Sequence, residues 1–572
     1  MITAHPTRAT RVTRSLSRVL TAALLGAVVV RGAQAQATVS VEADDPILTT
    51  VDRLIAEGAI RTAVVGQRPW SRRELARLLA EARTYADSLA PFDSLRARHI
   101  RGLLGGSAAG YESADAATTR FLARLSSEAV VGGAGAREIP FGGTGQGPLG
   151  RIDAITNPLV ERRLGRVYND GSTYAIETAH RLQLGRDIAV ALSPRVWLGD
   201  GADAVSACDS CVGTPDLRRA RPEDAAMLRI AAVTLGARNV RLVVGRDHLL
   251  LGQSMFGGGL MLSDNAPALD MVRIASDAPF LLPWFLRRVG PMQATAFLAD
   301  LGGDRDIPHA RLAGWKLSLV PSPRVEWGVS VLSQQGGSGA PGASVAQRVA
   351  DLLPLIDVLV LQDRDLLFSN KLAGLDARVR FPEARGLELY WEGVVDDFDI
   401  RRIGSSLTED AAHVVGMTLA RLAGDTKLRA DLEARHTGLR FYQHEQFSSG
   451  LTVDRFILGD PLGPRARALA ARITHDPGAR SPLMLTWAIE QRSNDQYVVS
   501  AEEQTAAGWR FVKVEDRPEE IRQRALLTWM PLLDGRMLRG RLDLGWEHVR
   551  QPGFTAGTSD HGLLRIGLDA RF

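Results

Sequence analysis

The sequence predicts a mainly β protein: a transmembrane antiparallel β-barrel of about 16–18 strands with a small N-terminal periplasmic helical domain. Three observations predict this fold. A secretory signal opens the chain, alternation of apolar and polar residues runs from about residue 118 to the end, and short turns alternate with long polar connections. An exported chain whose strands are apolar on one face and charged on the other suits a barrel with lipid outside and water inside.

Residues 1–35 are predicted to be a signal peptide. Four arginines precede an apolar run at residues 19–30, and Ala33, Gln34 and Ala35 form a small-residue cleavage site. The apolar run has twelve residues, whereas a membrane-spanning helix needs about 20. We therefore expect an exported protein without a transmembrane helix.

Removal of the signal peptide changes the charge balance. The whole chain has a formal net charge of +4, and residues 1–35 contain five arginines and no acidic residue, so the mature chain would carry −1. Because the basic residues of the signal peptide account for the excess, the charge gives no reason to expect a nucleic-acid partner.

The two cysteines of the chain are Cys208 and Cys211, in a polar segment between two strand-like patterns. Such a pair can be a redox motif or half of a zinc site, but it lacks the βαβ context and the second ligand pair that these functions require. We predict a local disulfide in an exposed loop. The sequence predicts no metal site and no cofactor.

Residues 36–117 are predicted to form a periplasmic helical bundle. Asp45 or Thr49 can cap a first helix, and a Ser-x-x-Glu capping box at Ser71 opens a second one. A third helix is predicted at residues 93–104. The apolar stripes of these helices are typical of a small core, and about 80 residues can fold as a separate unit packed at or under a barrel.

The barrel is predicted to occupy residues 118–572. Its last nine residues, from Leu564 to Phe572, place five apolar side chains on one face, and Arg565, Asp569 and Arg571 on the other. The edge strand of a soluble sandwich would show the same alternation. The terminal aromatic residue, however, resembles the C-terminal signal of bacterial outer-membrane barrels, so we expect the barrel-assembly machinery to bind residues 564–572.

The connections between the predicted strands alternate in length. Residues 184–187 and 235–239 make short turns, whereas residues 132–173 and 199–222 make long polar connections. Outer-membrane barrels have short periplasmic turns and long outer loops. At roughly 25–28 residues for each strand and its connection, the segment holds about 16–18 strands.

Aromatic residues are the weak point of this prediction, because they make up only 6% of the chain and such barrels usually carry aromatic girdles. A sparse girdle is available from Trp197, Trp284, Phe285, Trp315, Trp327, Trp391, Trp529 and Trp546.

Several motifs resemble the Wzi family of capsule assembly proteins. The stretch GGGLMLSDNAP at residues 257–267, followed by MVRI at 271–274, is similar to the central segment of that family. Further similar motifs follow in order: NKLAGLD at 370–376 with GLELY at 386–390, EARHT at 433–437, YQH at 442–444, FSSG at 447–450 and GDPLG at 459–463. The resemblance covers most of the mature chain.

The resemblance implies an outer-membrane barrel of a Gram-negative-type bacterium, similar to an 18-stranded one, that retains capsular polysaccharide as a lectin and not as an enzyme. It transfers no sugar-contact residues. Polar groups in or beside the motifs can hydrogen-bond to sugar hydroxyls, although each alone is more typical of a residue that solvates or braces a lumen. These candidate polysaccharide-binding residues are Asp264, Asn265, Asn370, Asp376, Asp396, Asp397, Asp399, Glu433, Tyr442 and His444.

Catalytic signatures are missing from the sequence, which has no G-x-S-x-G elbow, no H-E-x-x-H pair and no phosphate-binding P-loop. The leading prediction is therefore a barrel that binds capsular or other surface polysaccharide, with outer-membrane lipid as its surroundings. The alternative is a passive outer-membrane porin, and an enzyme is third. An open lumen would favour the porin, and a plugged lumen with saturable glycan binding would favour the lectin.

Overall fold

A computed structural model describes most of the mature chain. The described residues are 37–106, 120–131, 137–141, 152–156, 164–165, 171–199, 225–256, 258–303, 305–340, 342, 344–345, 348, 352, 369–396, 407, 409–444, 446–447, 449–454, 456–477, 481–493, 495–499, 511–516, 518–534 and 538–571. The predicted signal peptide, Cys208, Cys211, Asp397 and Asp399 lie outside these ranges.

Eighteen long antiparallel strands of the described residues, together with the three-residue strand Leu532–Asp534 beside β17, form one closed barrel, in which β1 pairs with both β2 and β18. The predicted fold class is thus confirmed, at the upper end of the expected strand number. The strands are β1 Arg120–Val131, β2 Gly171–Leu184, β3 Ile188–Gly199, β4 Ala225–Ala237, β5 Val240–Asp247, β6 Leu269–Ser276, β7 Met292–Asp300, β8 Arg311–Ser322, β9 Val325–Gln335, β10 Ser369–Phe381, β11 Leu387–Asp396, β12 Ala411–Leu419, β13 Leu428–Thr437, β14 Ala466–His475, β15 Leu483–Arg492, β16 Glu520–Trp529, β17 Leu538–Arg550 and β18 Thr558–Arg571.

The strands turn apolar side chains outward and charged side chains inward. In β18, Leu564 and Ile566 are 40% and 55% exposed, whereas Arg565 between them is 4% exposed and pairs with Asp543 inside the barrel. The predicted faces of the C-terminal strand are therefore confirmed as far as these residues show. An apolar outer surface around a charged interior is what a barrel in lipid requires.

The predicted girdle is partly confirmed. Exposed tryptophans on the outer surface are Trp327, Trp391, Trp529 and Trp546, together with Trp487, which the prediction omitted. Trp315 is half-buried, because its indole nitrogen donates to the carbonyl oxygen of Leu352. Trp197 lies on the face of β3 that carries the buried Arg195, whose guanidinium lies 5.8 Å from its ring, so it does not belong to the girdle.

The two mouths of the barrel differ. At one mouth, which we call the turn rim, connections of two to eight residues join the strands, apart from the connection 277–291. At the opposite mouth, the loop rim, connections reach 39 residues between Val131 and Gly171. The predicted alternation of short and long connections is therefore present.

In the described residues 37–106, three helices precede the barrel: α1 Ile47–Ala56, α2 Arg72–Leu89 and α3 Ser94–Gly106. The predicted capping box is confirmed, because the Ser71 hydroxyl accepts the N–H of Glu74 at 3.0 Å. Of the two candidate caps of α1, the Asp45 carboxylate accepts the N–H of Ile47 at 3.1 Å. The helices pack their apolar faces into one core. None of the described helices has both the length and the apolar character needed to cross a membrane.

The helical unit sits on the turn rim. The N–H of Ala37 donates to the carbonyl oxygen of Arg186 at 2.7 Å, and Arg73 donates to the carbonyl oxygen of Arg238 at 3.3 Å. Gly58, which ends α1 with a φ of +75°, packs so closely on Pro382 that an added Cβ would lie 2.8 Å from that ring. These contacts involve three different turns of the rim.

Candidate functional site

Three chain segments pack together inside the barrel. They are residues 63–68 before α2, residues 249–268 between β5 and β6, which we call the luminal segment, and residues 438–463 between β13 and β14, which we call the inner loop. Apolar side chains of the luminal segment and the inner loop share one buried core with inward side chains of the wall, such as Leu332 and Leu372. In residues 63–68, Ala63 and Val65 belong to the core of the helical unit. The barrel is therefore filled where these segments cross it.

Carboxylates of the barrel wall hold the luminal segment. Glu392 accepts the N–H groups of Gln253 at 3.0 Å and Leu260 at 2.8 Å. Glu433 accepts the N–H of Met255 and the hydroxyl of Ser254, both at 2.9 Å. Backbone N–H groups buried outside regular secondary structure need such acceptors. The acidic side chains thus keep an irregular segment across the lumen.

The luminal segment also contacts strand β14 of the wall and residues 63–68, which we call the N-terminal segment. The ring of Phe256 lies 4.5 Å from the guanidinium of Arg472 in β14. Two-residue strands, Gln67–Arg68 and Leu250–Leu251, pair with each other in antiparallel orientation. The N-terminal segment and the luminal segment are therefore bonded to one another as well as to the wall.

Glu326 and Asp376 connect the N-terminal segment, the luminal segment and the barrel wall, and we call this region the junction. Glu326 is fully buried and accepts the N–H of Val65 at 2.9 Å, the N–H of Gly66 at 2.8 Å and a guanidinium N–H of Arg380 at 2.6 Å. The carboxylate of Asp376 accepts from the amide of Gln253 at 2.7 Å and pairs with Lys316. Each buried charge is thus paired and hydrogen-bonded, as burial requires.

Tyr442 anchors the inner loop to the luminal segment. Its hydroxyl donates to the carbonyl oxygen of Leu260 at 2.5 Å and accepts the N–H of Asp460 at 2.7 Å. Its own N–H donates to the Asp396 carboxylate at 2.7 Å. A second link is the amide of Asn265, which donates to the carbonyl oxygen of Ile457 at 2.8 Å. These bonds fix the inner loop against the segment beneath it.

A cavity between the helical unit and the luminal segment is lined by Asp52, Arg68, Gln253 and Asp264, among others. Burial alone raises the pKa of the Asp52 carboxyl, but the positive charge of Arg68 and its hydrogen bond outweigh burial and leave this pKa below its ordinary value. Asp52 is therefore a carboxylate paired with Arg68. Within the described ranges, His, Cys, Asp and Glu side chains are not grouped as a metal site would require.

Polar side chains at the loop rim differ from those deeper in the barrel. Gln334 and Asn370 lie directly opposite one another on β9 and β10. Among the described residues, neither the nitrogen nor the oxygen of the Asn370 amide has a hydrogen-bond partner, although the side chain is fully buried. The same is true of the Gln334 amide oxygen. We call the side chains that share this feature here the mouth amides: Gln334, Asn370, Gln443 and Gln446.

Burial of an amide without a partner costs roughly 1–3 kcal/mol. Native proteins keep such groups mainly where water or a bound molecule completes their hydrogen bonds. The carboxylates of Glu326, Glu392 and Glu433 are satisfied by the chain itself. Asn370, in contrast, retains both of its donors and its acceptor. The mouth amides are therefore uncharged side chains of the described lumen that have hydrogen bonds left to offer, although other buried polar groups, such as Asp543, also have an oxygen without a hydrogen-bond partner.

The structure separates the predicted site residues into groups. Asp376 and Glu433 hold the luminal segment, to which Asp264 and Asn265 belong, and Asp396 and Tyr442 anchor the inner loop. At the loop rim, Asn370 belongs to the mouth amides, and the ring of His444 lies 5.7 Å from that of Phe447. Direct contact of these residues with a saccharide stays a prediction.

Sequence reasoning missed the three glutamines of the mouth amides. Gln443 stands beside the predicted candidates Tyr442 and His444, and Gln334 with Gln335 ends β9. A pair of amides at a strand end was the only signal in the sequence. Their lack of partners is a property of the folded chain.

A closed barrel with an apolar outer surface, a charged interior and folded segments across its lumen defines an integral β-barrel protein of the outer membrane. The family model described as "Capsule assembly protein Wzi" matches residues 143–561. The chain belongs to this family, as its motifs predicted, and its place is the outer membrane.

Three solved structures are similar to the chain to different degrees, and the first supports the fold. Wzi of Escherichia coli, described as an outer membrane protein involved in group 1 capsule assembly and as a carbohydrate-binding β-barrel, has a TM-score of 0.62 at 16% identity, over 94% of this chain and 100% of that chain. OccAB4 of Acinetobacter baumannii has a TM-score of 0.39 at 10% identity, over 80% and 100% of the two chains. OprD of Pseudomonas aeruginosa has a TM-score of 0.39 at 9% identity, over 79% and 92%. No curated protein matches the sequence.

Proposed function

We propose that the protein binds and retains capsular or other surface polysaccharide at the cell surface, as a non-enzymatic part of capsule assembly. Membership of the capsule assembly family supports this function, and so does the similarity of the fold to a barrel described as carbohydrate-binding. The mouth amides, which have donors or acceptors without partners at the loop rim, indicate where on the barrel the saccharide would bind.

Saccharide chemistry fits these side chains. Each carboxamide offers two donors and an acceptor, and sugar hydroxyls both donate and accept. Of the predicted contact residues, we propose that Asn370 and His444 contact the saccharide, together with Gln334 and Gln443. Asp264, Asn265, Asp376, Asp396, Glu433 and Tyr442 would act indirectly, because they position the luminal segment and the inner loop. Asp397 stays a candidate.

The orientation in the membrane follows from the two rims. Short turns face the periplasm in outer-membrane barrels, so we propose that the turn rim and the helical unit, residues 36–117, face the periplasm. The loop rim, with the mouth amides, would then face the outside, where polysaccharide is found. Residues 1–35 would be removed on export, and Leu564 to Phe572 would guide barrel assembly. Cys208 and Cys211, between β3 and β4, would form their disulfide outside.

A passive diffusion channel is the weaker alternative. A porin needs an aqueous path through the lumen, whereas hydrogen-bonded segments cross this lumen from β5 to β14. The same segments hold the inner loop, which carries the mouth amides Gln443 and Gln446, inside the barrel. A channel would not need this arrangement. The arrangement therefore supports a binding protein.

Asn370→Leu is expected to weaken saccharide binding by about tenfold or more without destabilising the fold. The substitution removes hydrogen bonds worth roughly 1–3 kcal/mol to a ligand. Because the amide has no partner among the described residues, its loss should leave the free energy of unfolding unchanged or raised. Saturable binding of purified surface polysaccharide from the same source to the mature protein in detergent, with urea unfolding in parallel, measures both effects.

Asn265→Leu is the matched control, because Asn265 is equally buried but its amide donates to Ile457. This variant should lose about 1 kcal/mol of stability, and its folded fraction should lose less affinity than Asn370→Leu does, because Asn265 acts only by positioning the two segments. Unchanged affinity in Asn370→Leu would remove the mouth amides from the saccharide site.

A further inference from the structure

The turn rim carries an exposed aromatic projection. The connection between β6 and β7 contains a 3₁₀ helix, Trp284–Val289, in which Trp284 is 86% exposed and Phe285 is 72% exposed. Leu281, just before it, is 47% exposed. Such a cluster of large apolar side chains is unfavourable in water and marks a surface that contacts something else.

The position of the projection indicates lipid. Gly290, which follows the 3₁₀ helix, packs against Val320 and Pro321 at the turn-rim end of β8. On the neighbouring strand β9, Trp327 is exposed on the outer surface of the barrel, opposite Leu319 of β8. The projection is therefore continuous with the surface that faces the membrane core. Tryptophan is enriched where that core meets the headgroups.

Arginines accompany the projection around the rim. Each of the six turn-rim connections described in full contains at least one arginine; they are Arg186, Arg238, Arg287, Arg288, Arg324, Arg385 and Arg421. Arg287 and Arg288 follow the exposed aromatic pair after one residue, Leu286, and both are exposed themselves. Guanidinium groups bind phosphate oxygens through paired hydrogen bonds.

We propose that the turn rim is a binding surface for anionic phospholipid of the periplasmic leaflet. Trp284 and Phe285 insert at the level of the headgroups, and Arg287 and Arg288 bind the lipid phosphates. The ring of rim arginines extends the same positive surface around the barrel. This surface rests on the proposed orientation of the rims and is independent of saccharide binding, which takes place at the opposite mouth.

Quenching of tryptophan fluorescence by brominated lipids tests the proposal. The mature protein is refolded into phosphatidylcholine vesicles that contain a minor fraction of brominated phosphatidylglycerol or of brominated phosphatidylcholine. We expect phosphatidylglycerol to associate with the wild-type protein more strongly than phosphatidylcholine does, by roughly fivefold for each arginine that contacts a lipid. The preference should fall as salt is raised, because ions screen exposed charges.

Arg287→Gln/Arg288→Gln should lose most of this preference while folding normally, because both side chains are exposed. Trp284→Phe should lower the part of the quenching that depends on phosphatidylglycerol. Arg98→Gln/Arg101→Gln removes two exposed charges from α3 instead and should keep the preference. Equal association of both lipids with the wild-type protein would overturn the proposal, as would an unchanged preference in Arg287→Gln/Arg288→Gln.

Discussion

Replacement of Glu326 by alanine is expected to lower the free energy of unfolding by about 3 kcal/mol. The fully buried carboxylate accepts the N–H groups of Val65 and Gly66 and pairs with Arg380 at 2.6 Å. Without it, two buried N–H groups lose their acceptor. Of the described residues, only Glu388, at 3.2 Å, then remains as a charge partner of Arg380.

Urea unfolding of the mature protein in detergent measures this loss. The matched control is Glu383→Ala, because Glu383 also pairs with an arginine, Arg324 at 2.9 Å, but on the exposed surface of the next turn. Solvent screens exposed pairs, so the control should unfold as the wild type does. If Glu326→Ala also unfolded at the wild-type urea concentration, the junction would not hold the N-terminal segment in the way described.

The double substitution Glu392→Ala/Glu433→Ala is expected to make a non-conducting barrel conduct ions. It removes the acceptors of Gln253, Leu260 and Met255 in the luminal segment. An irregular segment with unpaired backbone groups no longer gains from staying buried. Planar-bilayer recordings should therefore show conductance steps that the wild-type protein lacks.

Glu490→Ala/Glu547→Ala is the control for luminal charge. These two glutamates also lie inside the barrel, and they pair with the wall arginines Arg524 at 2.8 Å and Arg522 at 3.1 Å. Removing them changes the charge of the lumen by the same amount without removing an acceptor of Gln253, Leu260 or Met255. Equal conductance from both double variants would show that charge, and not release of the luminal segment, controls the path.

The strands and helices could be predicted from sequence because their signals are local. In β18, apolar and charged side chains alternate at Leu564, Arg565 and Ile566. This period of two residues is set by lipid on one side of the strand and the lumen on the other, and does not depend on which strand pairs with β18. The Ser71 capping box acts within one turn of its helix. Both signals are complete within a few residues of the printed sequence.

The functional site could not be predicted in the same way, because its contacts join distant parts of the chain. Glu326 and Val65 are 261 residues apart, and no local pattern relates them. Asn265 and Asn370 are chemically identical candidates, yet within the described part of the chain only Asn265 has a hydrogen-bond partner for its side chain. An amide that is hydrogen-bonded within the protein differs from one that can bind a ligand in its burial and its partners. Both properties are visible only in the folded chain.

The most direct test of a closed saccharide-binding barrel combines two assays on one preparation of the wild-type mature protein. Saturable binding of surface polysaccharide from the same source is measured in detergent, and ion conductance is recorded after insertion into a planar bilayer. We expect saturable binding without steady conductance. Steady conductance without binding would contradict the account and leave a passive diffusion channel.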